Sequence, residues 1–396
     1  MGPEPDRRWR VVAQGAAGLA VSMGIGRFVY TPILPLMHAR AGLSAEFGSA
    51  LATANYLGYL AGALLAIFVP ALVRSALAYR AGLVAVIVTV ALMGATQSHA
   101  AWLALRLVAG LASALVFVIA VSAMLTRLRA HGEHLAGWGF GGVGAGIALS
   151  GVVVLIVRPA GTWREAWLAS AALAVVLAVP AWGLRPEPAG AATALQRHGP
   201  DVRPHRWFGT LLASYTLEGI GYIIAGTFLV AAINQGAAAW VGTSAWVLAG
   251  LAAVPAAALW AGLGRRWSRP TLLLAALLIQ AFGIALPVLV PGVAGALVSA
   301  ALFGATFLGI ASMVLALGAH LRYPRAVALL TMGYSVGQIL GPVIVTPLLH
   351  DGYRVALLVA AGIVLAAAVA AAALQVRRPP HLLAPARDRQ ALARHG

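Results

Sequence analysis

Three ionisable side chains interrupt long apolar segments of the chain: Arg27, Arg106 and Glu218. A charged side chain that faces lipid costs about 2.5–3.5 kcal/mol at the centre of a membrane-spanning helix, so each of the three is expected to face protein or water. An arginine binds a carboxylate through two parallel hydrogen bonds, and a glutamate binds and releases a proton. These residues therefore predict a polar site for an anionic solute, with a proton-exchanging carboxyl group beside it.

Helical spacing adds polar and aromatic side chains to this site. Tyr222 lies one turn beyond Glu218 on the same helix face, and Tyr30 lies similarly close to Arg27. Two further segments each carry a polar pair at i, i+4 spacing, which fits ligand binding or helix-to-helix hydrogen bonding equally well. The candidate substrate-binding residues are Arg27, Tyr30, Asn55, Tyr59, Tyr222, Tyr334 and Gln338.

Each charged residue also has a structural interpretation. Arg27 and Glu218 can form an ion pair that stabilises one conformation. Arg106 stands about six residues into its apolar segment, where a long side chain can reach the membrane surface. For Glu218, the only acidic side chain that lies away from the ends of the apolar segments, we expect a role in proton coupling.

The apolar segments define the fold class. The chain is 61% hydrophobic and 9% charged, with a mean hydropathy of +0.91, and about 20 apolar residues cross a bilayer as a helix. The segments do not alternate apolar and polar residues as the strands of a membrane barrel do. An all-α membrane protein with twelve transmembrane helices is therefore predicted. The predicted spans are 11–37, 45–69, 81–98, 101–125, 135–157, 163–184, 207–233, 239–263, 271–290, 293–319, 326–349 and 354–376.

The distribution of arginine predicts the orientation. All 27 basic Lys+Arg positions are arginine, and 21 of them lie at the termini and in alternate loops, whereas the opposite loops hold four. Because positive residues accumulate on the cytoplasmic side, both termini are expected in the cytoplasm of a multi-pass protein of the cell (inner) membrane. A net charge of +17 also raises the possibility of nucleic-acid binding, but the sequence has no basic face or binding module. The expected partner is the lipid bilayer, not nucleic acid.

Metal and cofactor chemistry has no support in the sequence. The chain has no cysteine, and its ten histidines lack metal-ligand spacing. It contains no nucleotide-binding motif, so ATP is not the expected energy source. We therefore predict no metal, no cofactor, no catalytic residue and no enzyme activity.

The two halves of the chain repeat each other. At an offset of 195 residues, Gly142 matches Gly337 and Gly146 matches Gly341, and we expect these glycines at close helix contacts. A polar stretch with four prolines separates six spans from six and is predicted to be a linker. The predicted domains are an N-terminal six-helix bundle at 1–184, a cytoplasmic linker at 185–206, a C-terminal six-helix bundle at 207–376 and a cytoplasmic tail at 377–396.

The same offset of 195 makes Arg27 and Tyr222 equivalent positions of the repeat. Two parallel six-helix halves around a central binding cavity form a common transporter design. Arg27 and Tyr222 are therefore expected at a similar depth on opposite sides of that cavity.

Over nearly its whole length the sequence resembles the major facilitator superfamily (MFS). "LRLVAGLASA", which contains Arg106, is similar to the motif of the fourth helix, and "GFGGVGAGIALSG" and "GYSVGQILGP" are similar to glycine motifs of the fifth and eleventh helices. "GIGRFVYTPILP" and "GIGYIIAGTFL" together resemble the YbfB/YjiJ-type branch. The resemblance implies the MFS fold and links Arg106 to proton coupling. The loop "VPALVRSALAYR" lacks the aspartate usual in the superfamily, so the cytoplasmic gate is expected to be held differently.

These features predict a secondary active transporter that moves a small anionic or drug-like solute by alternating access, coupled to protons, as a monomer. An uncoupled facilitator would have the same sequence features. A membrane-embedded signalling or scaffold protein with a transporter fold is the alternative from another functional class.

Overall fold

The computed structural model describes residues 4–128, 133–186, 205–321, 323 and 326–376. Twelve of its helical segments are long and apolar enough to cross a membrane, which confirms the predicted all-α fold. The helices are α1 (Glu4–Leu19), α2 (Tyr30–Ala41), α3 (Ala45–Phe68), α4 (Pro70–Val73), α5 (Ala76–Ala95), α6 (His99–Arg127), α7 (Glu133–Val157), α8 (Trp163–Ala181), α9 (His205–Gly236), α10 (Ala239–Leu263), α11 (Arg269–Leu289), α12 (Val293–His320), α13 (Ala326–Val345) and α14 (Tyr353–Val376).

The helices divide into two sets of six spans. α1 and α2 together form the first span, α3 the second, and α5 to α8 the third to sixth, while α9 to α14 form the seventh to twelfth. α4 is a single turn between the second and third spans. Most of the predicted linker, 187–204, and all of the predicted tail, 377–396, lie outside the described residues.

A π-helical turn, Ala20–Ile25, follows α1, and the first span is then broken at 26–29 before α2 starts. Pro32 has no N–H to donate to the Phe28 carbonyl, which accepts instead from the Thr31 N–H at 3.2 Å. The sequence predicts a kink or a helix end near Pro32 and Pro35. The observed break lies upstream of Pro32, and α2 continues through Pro35 to its end.

The first and seventh spans occupy the centre of the protein. In their most apolar windows, 94% and 89% of the residues are buried, compared with 39% in the third and sixth spans, 50% in the ninth and 44% in the twelfth. These four spans thus expose more of their surface than the central pair. The ninth span, α11, nevertheless carries one fully buried polar side chain, Gln280.

Glycines bring α7 onto the first span and α13 onto α9. A Cβ atom at Gly142 would overlap the Ala16 carbonyl group, and one at Gly337 would overlap the Thr216 carbonyl group. Gly146 and the equivalent glycine of α13 approach the next turn of the facing helix in the same way. No side chain larger than hydrogen fits between these helices without moving a backbone.

The packing register differs from the predicted repeat. Ala16 and Thr216, which face equivalent glycines, stand 200 positions apart rather than 195. This offset does not extend to Arg27, because a π-helical turn at 20–25 and the break at 26–29 interrupt the regular helix, so the equivalence of Arg27 with Tyr222 stays a prediction. The offset of 200 arises because the first half uses five more residues between its first and fifth spans.

α7 and α10 form the most extensive contact between the two halves. A Cβ atom at Gly144 would lie 2.6 Å from the Gly250 carbonyl oxygen, and one at Gly141 would overlap the Val254 carbonyl group. Small residues allow such close backbone approach between membrane helices. At this contact the two halves therefore touch along a smooth seam of backbone rather than through interlocked side chains.

Candidate functional site

Arg27 lies at the centre of the protein, where the two halves meet. Its side chain is 2% exposed, and its Nη2 donates a 2.7 Å hydrogen bond to Oε1 of Gln338 in the opposite half. The guanidinium carbon lies 4.7 Å from the ring centroid of Tyr56 and 4.6 Å from that of Tyr59. Among the described residues, Nε and Nη1 have no hydrogen-bond partner. The result is a buried cation with unused donors.

No carboxylate neutralises this cation within the part of the chain that the structure describes. Glu218 is the only acidic side chain buried there, and neither of its carboxyl oxygens has a hydrogen-bond partner. The ion pair between Arg27 and Glu218, which the sequence leaves open, is therefore not formed. A buried guanidinium without a counter-ion is electrostatically suited to an anionic ligand.

Aromatic rings from both halves surround Arg27. Tyr222 stacks against Tyr334 and Phe307, with ring centroids 5.7 Å apart in both pairs, and Phe28 lies 6.3 Å from Phe307 across the interface between the halves. We call these rings the aromatic cluster: Phe28, Tyr56, Tyr59, Tyr215, Tyr222, Trp246, Phe303, Phe307 and Tyr334. Flat ring faces of this kind stack favourably on a planar ligand.

Arg106 supports the break in the first span. Its Nη1 donates to the Gly26 carbonyl at 3.2 Å and its Nη2 to the Arg27 carbonyl at 3.3 Å, while its guanidinium lies 4.8 Å from the Tyr30 ring centroid. The side chain is 1% exposed. It therefore does not reach the membrane surface, although its position in the sequence would allow this. Arg106 bonds two carbonyls at the break and thereby orients the backbone that carries Arg27.

Glu218 faces α11 rather than Arg27. Gln280 of α11 is the polar side chain that interacts with its carboxyl group, and both residues are fully buried. None of the four polar atoms of this pair forms a hydrogen bond of normal geometry. Tyr222 and Tyr334 are close enough to feel the charge of Glu218. The carboxyl group thus lies beside the aromatic cluster, in the seam between α9 and α11.

Two of the predicted substrate-binding residues make packing contacts instead. The Tyr30 hydroxyl donates to the Gly48 carbonyl at 2.7 Å, and Asn55 Nδ2 donates to the Arg106 carbonyl at 2.9 Å. Both side chains are buried within the N-terminal half. The structure therefore brings Tyr59, Tyr222, Tyr334 and Gln338 to the Arg27 site, but not Tyr30 and Asn55.

The sequence interpretation misses Tyr56, Phe307 and Gln280. Tyr56 precedes Tyr59 by three positions, and a search for i, i+3 as well as i, i+4 polar pairs would find it. Phe307 has no distinguishing signal, since phenylalanine is ordinary in a membrane span. Gln280 is the only polar side chain of α11 beyond its first turn. Among the described residues, no three His, Cys, Asp or Glu side chains are grouped to hold a metal.

Hydrogen bonds join the two halves between the Arg27 site and the membrane face where α2 ends, which we call the distal face. The Thr31 hydroxyl donates to the Gly226 carbonyl at 2.6 Å. Further bonds between the halves join the Ser49 and Thr346 hydroxyls at 2.7 Å, the Tyr56 and Thr227 hydroxyls at 2.7 Å, and the Tyr353 hydroxyl and His38 Nε2 at 2.6 Å. These bonds form a distal latch that closes the Arg27 site toward that face.

Comparison with known proteins agrees with this architecture. A family model described as "Uncharacterised MFS-type transporter YbfB" matches residues 19–373. Two solved structures of the nucleoside transporter NupG, one of them a point mutant, share the fold with TM-scores of 0.69 and 0.68 at 13% identity; they cover 93% and 94% of this chain and 99% of their own. No curated protein matches the chain in sequence. The chain therefore belongs to the YbfB-type family of MFS proteins, and it is a multi-pass membrane transporter rather than an enzyme.

Proposed function

We propose that this transporter moves a small planar organic anion by alternating access and couples that movement to protons. The solute binds at Arg27 within the aromatic cluster, and the two halves rock to open the site to one membrane face and then to the other. The protein works as a monomer in the cell inner membrane, because one chain supplies both halves of the site.

The observation that carries the proposal is the state of Arg27. A guanidinium that is 2% exposed keeps Nε and Nη1 without partners, and the residue that it contacts in the opposite half, Gln338, is neutral. Burying an uncompensated charge costs several kcal/mol. An anionic group of the solute would supply both the missing charge and the missing acceptors.

The contacts between the halves support alternating access. The distal latch consists of separate side-chain hydrogen bonds, each of which contributes about 1 kcal/mol and can break and re-form. The α7–α10 contact instead consists of close backbone approaches at Gly144 and Gly250. A smooth seam with few interlocking side chains suits rocking of two bundles about a central site.

Glu218 supports proton coupling. It is fully buried, has no cationic partner in the described structure, and lies close to Tyr222 and Tyr334 of the aromatic cluster. Because a lone carboxylate is costly in a low-dielectric environment, a change in the water access of this seam changes whether the group holds a proton. The fourth-helix arginine, Arg106, then acts on coupling through the backbone of the first span.

A neutral nucleoside is the second candidate solute. NupG, a neighbour in fold, is described as a nucleoside transporter, and a nucleobase can stack on the rings of the aromatic cluster. A nucleoside would leave Arg27 without a counter-ion, however, so the organic anion remains the better match to the site.

A thermal-shift screen of the purified protein separates these candidates, because a ligand that binds the folded state raises its stability. The screen compares aromatic carboxylates, their neutral amides and nucleosides. We expect carboxylates to raise the melting temperature and the matched amides to leave it unchanged. Equal shifts for acid and amide would refute anion recognition, and shifts with nucleosides alone would favour the second candidate.

Counterflow of the best ligand in proteoliposomes then tests movement itself. A transporter accumulates labelled solute against an unlabelled internal pool, whereas a signalling or scaffold protein of the same fold binds the ligand without moving it. Repeating the uptake with and without a pH gradient distinguishes a proton-coupled transporter from an uncoupled facilitator.

A further inference from the structure

The seam between α9 and α11 contains a carboxyl and a carboxamide that are both withheld from water. Glu218 and Gln280 are each 0% exposed, and the carboxyl oxygens and the amide oxygen and nitrogen all lack a hydrogen bond of normal geometry. Gln280 is nevertheless the polar side chain that interacts with the Glu218 carboxyl. Buried polar groups are rarely left unpaired, so this pair calls for a functional explanation.

We propose that Gln280 is the hydrogen-bond partner of Glu218 in both of its protonation states, so that the α9–α11 seam forms a proton-binding site separate from the Arg27 site. The inference rests on the proposed proton coupling and assigns it a place and a second residue. Gln280 is a positioning residue in this scheme, since the proton itself resides on Glu218.

The chemistry of the amide makes this possible. A carboxylate accepts a hydrogen bond from the amide Nε2, and a protonated carboxyl donates one to the amide Oε1. Rotation of the amide group by about half a turn exchanges these two atoms. The proton enters from water onto one oxygen of the Glu218 carboxylate and leaves from that oxygen to water. The Glu218 carboxyl group thus has a hydrogen-bond partner in both protonation states, and no cation holds it permanently charged.

The described residues around Glu218 provide no competing cation. Arg27 donates to Gln338 instead. The titratable side chains that interact with Glu218 are Tyr215 and Tyr222 on α9 and Tyr334 on α13, which are neutral in the physiological range. From the sequence, α10 has no titratable residue, α12 has none before its last residue and α14 has none after its second.

Infrared difference spectroscopy of the full-length protein in lipid nanodiscs, between acidic and alkaline buffer, observes this site without any solute. In the wild type we expect a protonated-carboxyl band at the lower frequency of a hydrogen-bonded C=O group. Glu218→Gln should abolish the band. Gln280→Met, which keeps the length of the side chain but cannot hydrogen-bond, should shift it to the higher frequency of a free acid. Gln14→Leu, on α1 beside Gly183, is the matched control and should leave it in place.

Several results would overturn the inference. A wild-type band at the free-acid frequency would mean that no partner is present, whether or not the Gln280 variant folds. An unshifted band in Gln280→Met would exclude Gln280 as the partner. Displacement of the band by sodium at constant pH would identify a metal-cation site instead. If the bands behave as expected but a pH gradient does not drive uptake, the site stands and the proposed coupling fails, so the two claims are tested separately.

Discussion

Arg27 and Gln338 stand 311 positions apart in the chain and share a 2.7 Å hydrogen bond at the centre of the protein. The bond joins the two halves through the same guanidinium that is proposed to bind the solute. An anion that engages Nε and Nη1 would therefore change the contact between the halves as well as fill the site. A ligand shifts a conformational equilibrium only by binding its states differently, and this shared group provides such a difference.

The first prediction concerns the distal latch. The Ser49 and Thr346 hydroxyls lie 2.7 Å apart across the two halves, close enough for cysteines there to form a disulfide, and the native chain has no cysteine that could compete. The Ser49→Cys, Thr346→Cys variant should lose transport on oxidation and regain it on reduction, because the halves can no longer separate at the distal face. Counterflow before and after reduction measures this.

A matched control uses two hydroxyls within one half. Ser268 and Thr271 are 2.8 Å apart at the start of α11, so the Ser268→Cys, Thr271→Cys variant adds a cysteine pair that does not cross between the halves. Its transport should not depend on oxidation. Undiminished transport in the oxidised, fully cross-linked Ser49–Thr346 variant would contradict a moving latch.

The second prediction concerns helix packing. Gly142→Ala places a methyl group against the Ala16 backbone, and overpacking of this kind costs about 1–3 kcal/mol. We expect a lower melting temperature in detergent. Gly262→Ala is the control, because a Cβ atom there meets nothing within 4 Å and alanine favours a helix over glycine by about 1 kcal/mol. Equal stability of the two variants would show that α7 and α1 pack less closely than described.

The third prediction concerns topology. Since arginine is concentrated in alternate loops, reporter fusions at Gly190 and at the C-terminus should both report the cytoplasm. A fusion at Gly236, where α9 ends, should report the outside. If Gly190 and the C-terminus were found on opposite sides, one of the six spans between them would not cross the membrane.

The fourth prediction concerns coupling. Glu218→Gln keeps the size of the side chain and removes its ability to titrate, so the protein should fold and should still exchange solute at equal pH. Accumulation driven by a pH gradient should be lost. Glu46→Gln is the control, since that carboxyl is exposed at the start of α3 and should leave accumulation unchanged. Normal gradient-driven uptake by Glu218→Gln would remove this residue from the mechanism.

The sequence predicts some features of the fold better than others for physical reasons. Hydropathy alone predicts twelve spans, because the membrane requires long apolar helices, and the cost of burying charge singles out Arg27, Arg106 and Glu218. It does not predict which polar group each of them meets. That depends on how the helices are rotated against one another, which the sequence does not specify, so the position of Gln280 beside Glu218 is not predicted.

The repeat illustrates the same distinction. The glycine motifs of α7 and α13 are recognisable, and their offset of 195 is correct for these two helices. In the first span, the residues that face these glycines, Ala16 and Thr216, instead stand 200 positions apart. Glycine matches between α7 and α13 do not reveal that the chain between the first and fifth spans differs in length by five residues. Five residues are more than one helical turn.

The central claim is that Arg27 binds the anionic group of the solute and is not the ion-pair partner of Glu218. A guanidinium fork matches a carboxylate, whereas an ammonium group is a point charge. Arg27→Lys should therefore weaken binding by about tenfold, and Arg27→Ala by about a hundredfold or more. Arg164→Ala, which removes an exposed arginine, should leave the affinity unchanged.

The most direct measurement is a double-mutant cycle of Arg27→Ala and Glu218→Ala, with ligand affinity determined by calorimetry at a fixed pH. Because the structure has no contact between these two side chains, adding Glu218→Ala to Arg27→Ala should not restore binding. Substantial recovery of affinity in the double mutant would mean that the two charges compensate each other, and it would contradict Arg27 as the anion-binding residue.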